Sequence, residues 1–336
     1  MTPEEAHPGA GPIQVSVVMP VHNCAAYLPA ALDALLRERG VALEIVAVND
    51  GSSDESLSVL QDAARKDPRV VVLDQPQQGP SAARNAGLEQ ARGDWVAFAD
   101  ADDRLEPGTL AAWHRHAMVH ELDVLIGNGY RFRSDPDPAA ASPLLKRQPW
   151  DHVVSGREWI VHCARNEEWP HYVWLQFIRR QYIERNRLRF APDLLHEDIL
   201  WTLRLAMGGA RMGFFARPAY GYRSNPASIV NSPSQEAIAR RAHSYVHILK
   251  ALVDAAQEPG TDAAVRRALL RHANVECAYF YQLLGKKLAD AALRRNVADR
   301  FHDMRLWGPL WRGATGMRQY RRLLRCYLAV ARARLA

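Results

Sequence analysis

Between residues 13 and 99, short β-branched runs alternate with stretches of helical length and spacing, and that alternation leaves few folds open. IQVSVVM (13–19) ends at Pro20; residues 25–39 then place Tyr27, Leu28, Ala31, Leu32, Leu35 and Leu36 at helical spacing before Gly40. EIVAV (44–48), VVVL (70–73) and DWVAFA (94–99) read as further strands, with helices over 53–66 and 81–92 between them. Pro107 suits the first turn of a helix over 108–121, and VLI (124–126) reads as another strand. Strands and helices alternating at these lengths predict an α/β fold, a mainly parallel sheet with helices on both faces and right-handed crossovers. Such sheets bind ligands beyond the carboxyl ends of their strands, so the residues just after each strand carry the functional signal.

With 336 residues the chain is long enough for two domains, or one large domain with an appendage. Cys24, Cys163, Cys277 and Cys326 are widely spaced, which argues against a disulfide framework or structural zinc and for a reducing cytosol. The N-terminus is acidic and rich in Pro and Gly, unlike a signal peptide, and is expected to be flexible over 1–12. No apolar run reaches the roughly 18 residues of a spanning helix. Residues 304–336 hold eight arginines and no lysine, Asp or Glu, so the +6 net charge belongs to this tail and the rest of the chain is slightly acidic.

Three strand ends are informative. Pro20-Val21-His22-Asn23 follows the first, Asn49-Asp50-Gly51-Ser52-Ser53-Asp54 the second, and Asp100-Ala101-Asp102-Asp103 the fourth. None is a GxGxxG loop; Gly127-Asn128-Gly129 lacks the third glycine, and no Walker-type GxxxxGK[ST] occurs. Three carboxylates within four residues repel one another unless a cation or hydrogen-bond donors offset them. Their hard oxygens suit Mg²⁺ or Mn²⁺, which is commonly held by one or two carboxylates together with substrate phosphates. The competing reading is a solvated turn with a helix cap.

VSVVMPVHN, VAVNDGSSD, GPSAARNAGLEQARGDWVAFADADD and LLHEDILW occur in that order, and together they resemble the family 2 glycosyltransferases of GT-A fold that build bacterial lipopolysaccharide and exopolysaccharide. The resemblance covers about 13–225. It implies that Pro20, Val21 and Asn23 border the nucleotide, that Asp50 accepts the uracil imide hydrogen, and that Arg84 approaches the base or diphosphate. Asp100 and Ala101 would face the nucleotide, with Asp100 and Asp102 at a divalent metal ion. His22 stands where a tyrosine is common. In chemical terms, a uracil imide N–H needs an acceptor, and a strand-end aspartate is one. Asn49 to Ser52 read equally as a turn into a helix, with Ser53 as its cap and Asp50 free.

His196-Glu197-Asp198 opens an apolar helix, where acids are favoured by the dipole alone. The functional reading makes one of them the base for an acceptor hydroxyl; the resemblance assigns that role to Asp198, with Glu197 in support. One base without a nucleophilic partner implies a single displacement with inversion. Tyr220 to Asn225, expected to follow a strand at 212–216, resembles a family segment near the donor phosphates, making Arg223 a candidate phosphate contact. His114, His116 and His120 lack a metal-site pattern. Trp159, Trp169, Tyr172, Trp174 and Tyr182 are core candidates, of which one or two could stack on a sugar.

The expected organisation is a glycosyltransferase domain at 13–230, divided into a nucleotide half (13–126) and an acceptor half (127–230), followed by a helical region at 231–336; residues 134–150 read as a Pro-rich loop. The last helix, 317–335, sets Met317, Tyr320, Leu324, Tyr327, Leu328, Ala331 and Leu335 on one side, which fits either an interfacial helix on anionic lipid or a helix packed on its domain. The partners expected are a nucleotide-sugar donor, UDP-linked, and a glycan or lipid-linked acceptor, with no nucleic acid. The expected location is cytoplasmic, on the inner face of the membrane through 304–336. Two other classes fit less well. A sugar-nucleotide nucleotidyltransferase would carry a basic Gly-rich loop where this chain has PVHN. A non-catalytic protein binding nucleic acid or membrane could use the tail but leaves the acidic cluster unexplained.

Overall fold

The computed structural model describes residues 12–133, 141–224 and 233–335. The expected flexible N-terminus (Pro12 apart), the opening of the Pro-rich segment and Asn225 lie outside the described residues. Two compact units interleave along the chain: Met1–Ser155, Tyr172–Pro192 and Ala210–Ser224 form the first, and Gly156–His171, Asp193–Gly209 and Asn225–Ala336 the second.

The first unit is built on one mixed sheet. Strands β1 (Val15–Val21), β2 (Leu43–Asp50), β3 (Val70–Gln75) and β4 (Trp95–Phe98) lie parallel in the order β3-β2-β1-β4. Helices α1 (Leu28–Leu36), α2 (Ser56–Lys66) and α3 (Pro80–Gln90) make the crossovers. Every residue of β2 is buried, as expected for a strand covered on both faces. Beyond β4 the chain adds β5 (Arg104–Leu105), helix α4 (Thr109–Val119), β6 (Val124–Phe132), β7 (Val154–Ser155), β8 (Gln176–Arg179), helix α6 (Arg180–Arg185) and β9 (Arg211–Arg223). β8 runs antiparallel between β4 and β6, so the all-parallel pattern stops at β4.

Three expectations change here. The strand at 124–126 continues to Phe132, and the one at 212–216 continues to Arg223, because the two pair in parallel as far as Phe132↔Arg223. Tyr220 to Arg223 therefore end a strand instead of following one. Gly127 and Gly129 sit inside β6, not in a loop. A Cβ on Gly127 would lie 2.2 Å from the Trp113 ring, so this glycine admits a tryptophan rather than a phosphate.

The second unit is helical. It comprises α5 (Gly156–Asn166), α7 (Glu197–Met207), α8 (Gln235–Gln257), α9 (Ala263–Gln282), α10 (Ala291–Asp303), α11 (Trp307–Gly313) and α12 (Met317–Leu335). Ser234, Asp262 and Asp290 cap α8, α9 and α10 through side-chain oxygens. α5 packs on α7 and α9, and α7 also on α8, so the compact units divide the chain differently from a single break near 230. The apolar faces explain this: Trp159, Ile160 and Cys163 of α5 and Ile199, Leu200 and Leu203 of α7 are all buried. α12 packs through Leu323, Cys326, Val330 and Ala333, leaving the stripe from Met317 to Leu335 outside.

Candidate active site

The acidic loop after β4 is held by the end of β9. The Asp100 amide donates to the Tyr220 hydroxyl at 3.0 Å, and that hydroxyl donates to Asp103 Oδ2 at 2.9 Å. The Arg223 amide donates to Asp103 Oδ1 at 2.8 Å, and Arg223 Nε donates to the Asp102 carbonyl at 2.8 Å. Asp103 is thus turned inward and 5% exposed; burial pushes its carboxyl well up, and the charges of Asp100 and Asp102 push it further. Asp100 stays half-open, with Arg84 Nη2 donating to its Oδ1 at 3.2 Å. Arg84 is not a surface residue of α3: it is 7% exposed, and its guanidinium lies 5.4 Å from the Phe190 ring centre. Beneath this loop Tyr172, Trp174, Tyr220 and Tyr222 form a stack, with Trp174 4.4 Å from Tyr220 and 5.5 Å from Tyr222. The Arg223 guanidinium rests on Phe132 and Tyr27 at 4.5 and 4.9 Å.

The loops after β1 and β2 are tied to each other. Asn23 adopts a left-handed conformation (φ 52°), and its Oδ1 accepts from the Ser53 amide at 2.8 Å. The Cys24 and Ala25 amides donate to Ser56 Oγ and Asp54 Oδ2. Ser53 does not cap α2, whose N-cap position is Glu55 with no side-chain cap; Asp54, just before it, accepts from the Ser56 amide at 3.0 Å. Gly51 (φ +64°) makes the tight turn, and a Cβ there would meet the Gln77 amide nitrogen at 2.6 Å.

Asp50 is not free. Its Oδ1 accepts from Gln75 Nε2 at 2.7 Å and from the Gln78 amide at 2.8 Å, and its Oδ2 from the Gly79 amide at 2.7 Å. An ionised carboxylate offers about four acceptor positions, so Oδ2 keeps room for one more donor. His22 Nε2 faces the side-chain amides of Asn23 and Gln77, both at 3.2 Å, which places the ring proton on Nδ1, donating to the Asp50 carbonyl at 2.8 Å. Val21 and Ala101 are buried, which leaves only their backbone to border a ligand. Burial and the charge of Asp102 push the Cys24 thiol up to about 11, so the β4 loop and the β1 loop share one electrostatic environment.

Glu197 and Asp198 belong to the second unit. His196 precedes them in the left-handed region (φ 61°) and turns the chain sharply into α7. Glu197 is 9% exposed, while Asp198 is half-buried with its Oδ1 accepting from the Ile199 amide at 3.0 Å. The Asp198 charge reaches Tyr245 on α8 and Glu276 on α9; burial first, then Asp198, raises the Glu276 carboxyl to about 7. His272 Nδ1 lies 3.6 Å from Glu276, but burial holds this imidazole neutral, so the two form no ion pair. The pairing of Asp103 with Tyr220, the Gln75–Gly79 cradle on Asp50, and the approach of Tyr245 to Glu276 were not read from the motifs, although Asp103 and Tyr220 each lay in one. Of these, only the alternating Tyr220 and Tyr222 of one strand face left a sequence signal.

An α/β sheet with an acidic loop at a strand's carboxyl end, flanked by two mutually tied loops, is the GT-A architecture. Residues 16–184 match the family model for glycosyl transferase family 2. The chain is 32% identical to glycosyltransferase GlyG of Streptococcus pneumoniae over 85% of this chain and 94% of that protein. It is 31% identical to the uncharacterized glycosyltransferase YibD of Escherichia coli K12 over 64% of this chain, and the matched stretch spans 63% of YibD. Among solved structures, residues 1–349 of S. aureus TarS superpose with a TM-score of 0.68 at 17% identity, over 96% of this chain and 90% of that one. The same TarS fragment in complex with UDP-GlcNAc gives 0.55 at 18% identity (88% and 90%). The mannosyltransferase PcManGT of Pyrobaculum calidifontis, in complex with GDP-Man and Mn²⁺, gives 0.54 at 17% identity (98% and 88%). The chain belongs to glycosyltransferase family 2.

Proposed function

We propose that the protein transfers a hexosyl or N-acetylhexosaminyl group from a nucleotide sugar, UDP-linked, to a hydroxyl of a glycan or lipid-linked acceptor in surface polysaccharide synthesis, with inversion at the anomeric carbon. The observation that carries this reading is the fate of the acidic loop: Asp103 is drawn inward by Tyr220 and the Arg223 amide, so Asp100 and Asp102 are left at the strand end. Two carboxylates fit a hard divalent cation that completes its shell with phosphate oxygens; burial first, and their negative field after it, raises Cys24, Asp103 and Tyr222. Asp100 and Asp102 would hold Mg²⁺ or Mn²⁺, which supplies charge neutralisation at the departing diphosphate.

The residues divide the remaining work. Asp50 Oδ2 accepts the uracil imide hydrogen, while Arg84 orients Asp100 and adds positive charge beside the nucleotide. Arg223, fixed between two aromatic rings, offers its guanidinium to phosphate. Asp198 takes the proton of the acceptor hydroxyl, and the hydroxyl oxygen displaces the nucleoside diphosphate in one step. The UDP-GlcNAc and GDP-Man complexes of the structural neighbours support a nucleotide-sugar donor and leave its identity to experiment. Incubation with labelled UDP-sugars and Mn²⁺ tests the proposal: sugar transfer, or slow hydrolysis to UDP, is expected. Pyrophosphate exchange instead would make the chain a nucleotidyltransferase.

A further inference from the structure

Helix α12 carries two exposed stripes side by side. At 100° per residue, Met317, Tyr320, Leu324, Tyr327, Leu328 and Leu335 occupy one arc, and Arg318, Arg321, Arg325 and Arg332 occupy the next. The face that packs, through Leu323, Cys326, Val330 and Ala333, is opposite to both. The six apolar and aromatic residues are each at least 42% exposed, and Leu335 is 87% exposed. Monomeric proteins seldom leave such a contiguous stripe open without a partner. Two tryptophans of α11 extend it: Trp311 stacks on Tyr320 at 6.1 Å and Trp307 meets Tyr327 edge-on at 5.2 Å.

Beside the stripe, α9, the turn after it and α12 enclose a cavity of about 420 Å³. Lys286, Arg318, Arg321, Arg322 and Arg325 line it together with Tyr281, and no carboxylate does. A concave site with five cations and no acid matches a phosphate-bearing headgroup, and the adjoining apolar stripe matches the acyl region beneath such headgroups.

We propose that the second unit docks on an anionic lipid surface, with α12 lying in the interface, the Met317–Leu335 stripe sunk to the acyl boundary and the arginine row and cavity holding headgroup phosphates. Tyr and Trp belong at that depth, where a ring with an apolar body and a polar edge is satisfied on both sides. The helix lies on the surface and does not cross it, since among the described residues no helix is long and apolar enough to span a membrane. A second copy of the chain is a poorer occupant, because it would set arginine row near arginine row with no acid between 304 and 336 to offset the charge.

Vesicle co-sedimentation of the full chain tests this independently of turnover. Binding to phosphatidylglycerol vesicles and not to pure phosphatidylcholine is expected, with release at about 1 M salt, where screening reaches ~3 Å. Leu324→Glu with Leu328→Glu should weaken binding tenfold or more. Arg318→Ser, Arg321→Ser and Arg325→Ser together should weaken it about 100-fold, at about 1 kcal/mol per cation and tenfold per 1.4 kcal/mol. All five side chains are exposed, so unchanged thermal unfolding of the variants separates lost docking from lost folding. Equal binding to both lipids, or variants that bind like the parent, would overturn the proposal. So would a concentration-dependent dimer abolished by the leucine changes without any vesicle binding.

Discussion

Asp102 and Asp103 share a peptide bond yet meet different surroundings. Asp103 is consumed by the fold, accepting from the Tyr220 hydroxyl and the Arg223 amide, whereas Asp102 directs its charge towards the loop after β1. Cys24 reports on that charge. Its thiol is pushed up to about 11 from an ordinary 9.0 by burial and by Asp102, so at pH 8 the reactive thiolate is about 100-fold scarcer than in an unperturbed cysteine. Alkylation of Cys24 by iodoacetamide, followed by peptide mass spectrometry, should be slow in the parent and faster in Asp102→Asn; equal rates would place the carboxylate elsewhere. Asp198 calls for a different experiment. If it is the base, Asp198→Asn lowers transfer by roughly 10²–10⁴-fold while UDP affinity changes little, because a general base contributes to the chemical step and not to donor binding. Calorimetric UDP titration alongside transfer assays measures both. The acid motifs themselves were legible in the sequence because they are local. Their sorting was not: which of three neighbouring aspartates turns inward depends on Tyr220, more than a hundred residues away, and Asp50 read as free because its donors at Gln75, Gln78 and Gly79 belong to the next strand and loop.

At the level of elements, strands β1 to β4 and helices α1 to α4 were readable because each is specified by its own periodicity, and parallel strands buried on both faces announce themselves as apolar runs; the two-residue β5, defined by its pairing with β9, was not. Boundaries set by contacts between loops were less readable. α2 begins at Ser56, past a turn in which Asn23 accepts the Ser53 amide and Asp54 the Ser56 amide, and β9 runs to Arg223 because β6 offers it a partner edge. In α12 the stripe of large apolar side chains fitted either a lipid-facing or a packed helix, and the arc that packs is another one, Leu323, Cys326, Val330 and Ala333. α9 carries a buried acid whose energetics follow from its place between helices. The Glu276 carboxyl is raised to about 7 in the fold against an ordinary 4.5, so the folded state holds its proton more tightly than the unfolded chain does. Stability from this group is therefore present below about pH 4.5 and is lost as the pH rises through about 7, with a cost of about 3 kcal/mol once the group is ionised. Glu276→Gln should raise the melting temperature at pH 8, leave it nearly unchanged at pH 4.5 and flatten the profile between. Melting curves at several pH values check this, and a variant with the parent's slope would mean that another group titrates.

For the whole molecule, ligand linkage gives the broadest test. A donor nucleotide that binds only the folded first unit stabilises it by about 2.7 kcal/mol at 100 times its Kd. UDP with Mn²⁺ should therefore raise the first unit's unfolding temperature, and chelation should remove most of that gain if Asp100 and Asp102 hold the ion that bridges to the diphosphate. A shift that survives chelation would separate nucleotide binding from the metal. The family itself was legible from ordered motifs at strand ends, which also fixed the sheet's first half. The interleaving of the two units was not, because it depends on helices α5 and α7 packing with partners far along the chain.

The strand-end clasp on Asp103 also bears on how small a fragment could keep the proposed donor site. A fragment ending before Tyr220 would leave the Asp103 carboxyl without the hydroxyl and amide that donate to it, and the Asp100 amide without its acceptor. The stretch matched by the family model stops at 184, so it marks ancestry more faithfully than it marks the smallest self-sufficient piece. Dissecting this protein into a portable nucleotide module would have to keep the chain through Arg223, however modular the first hundred residues look.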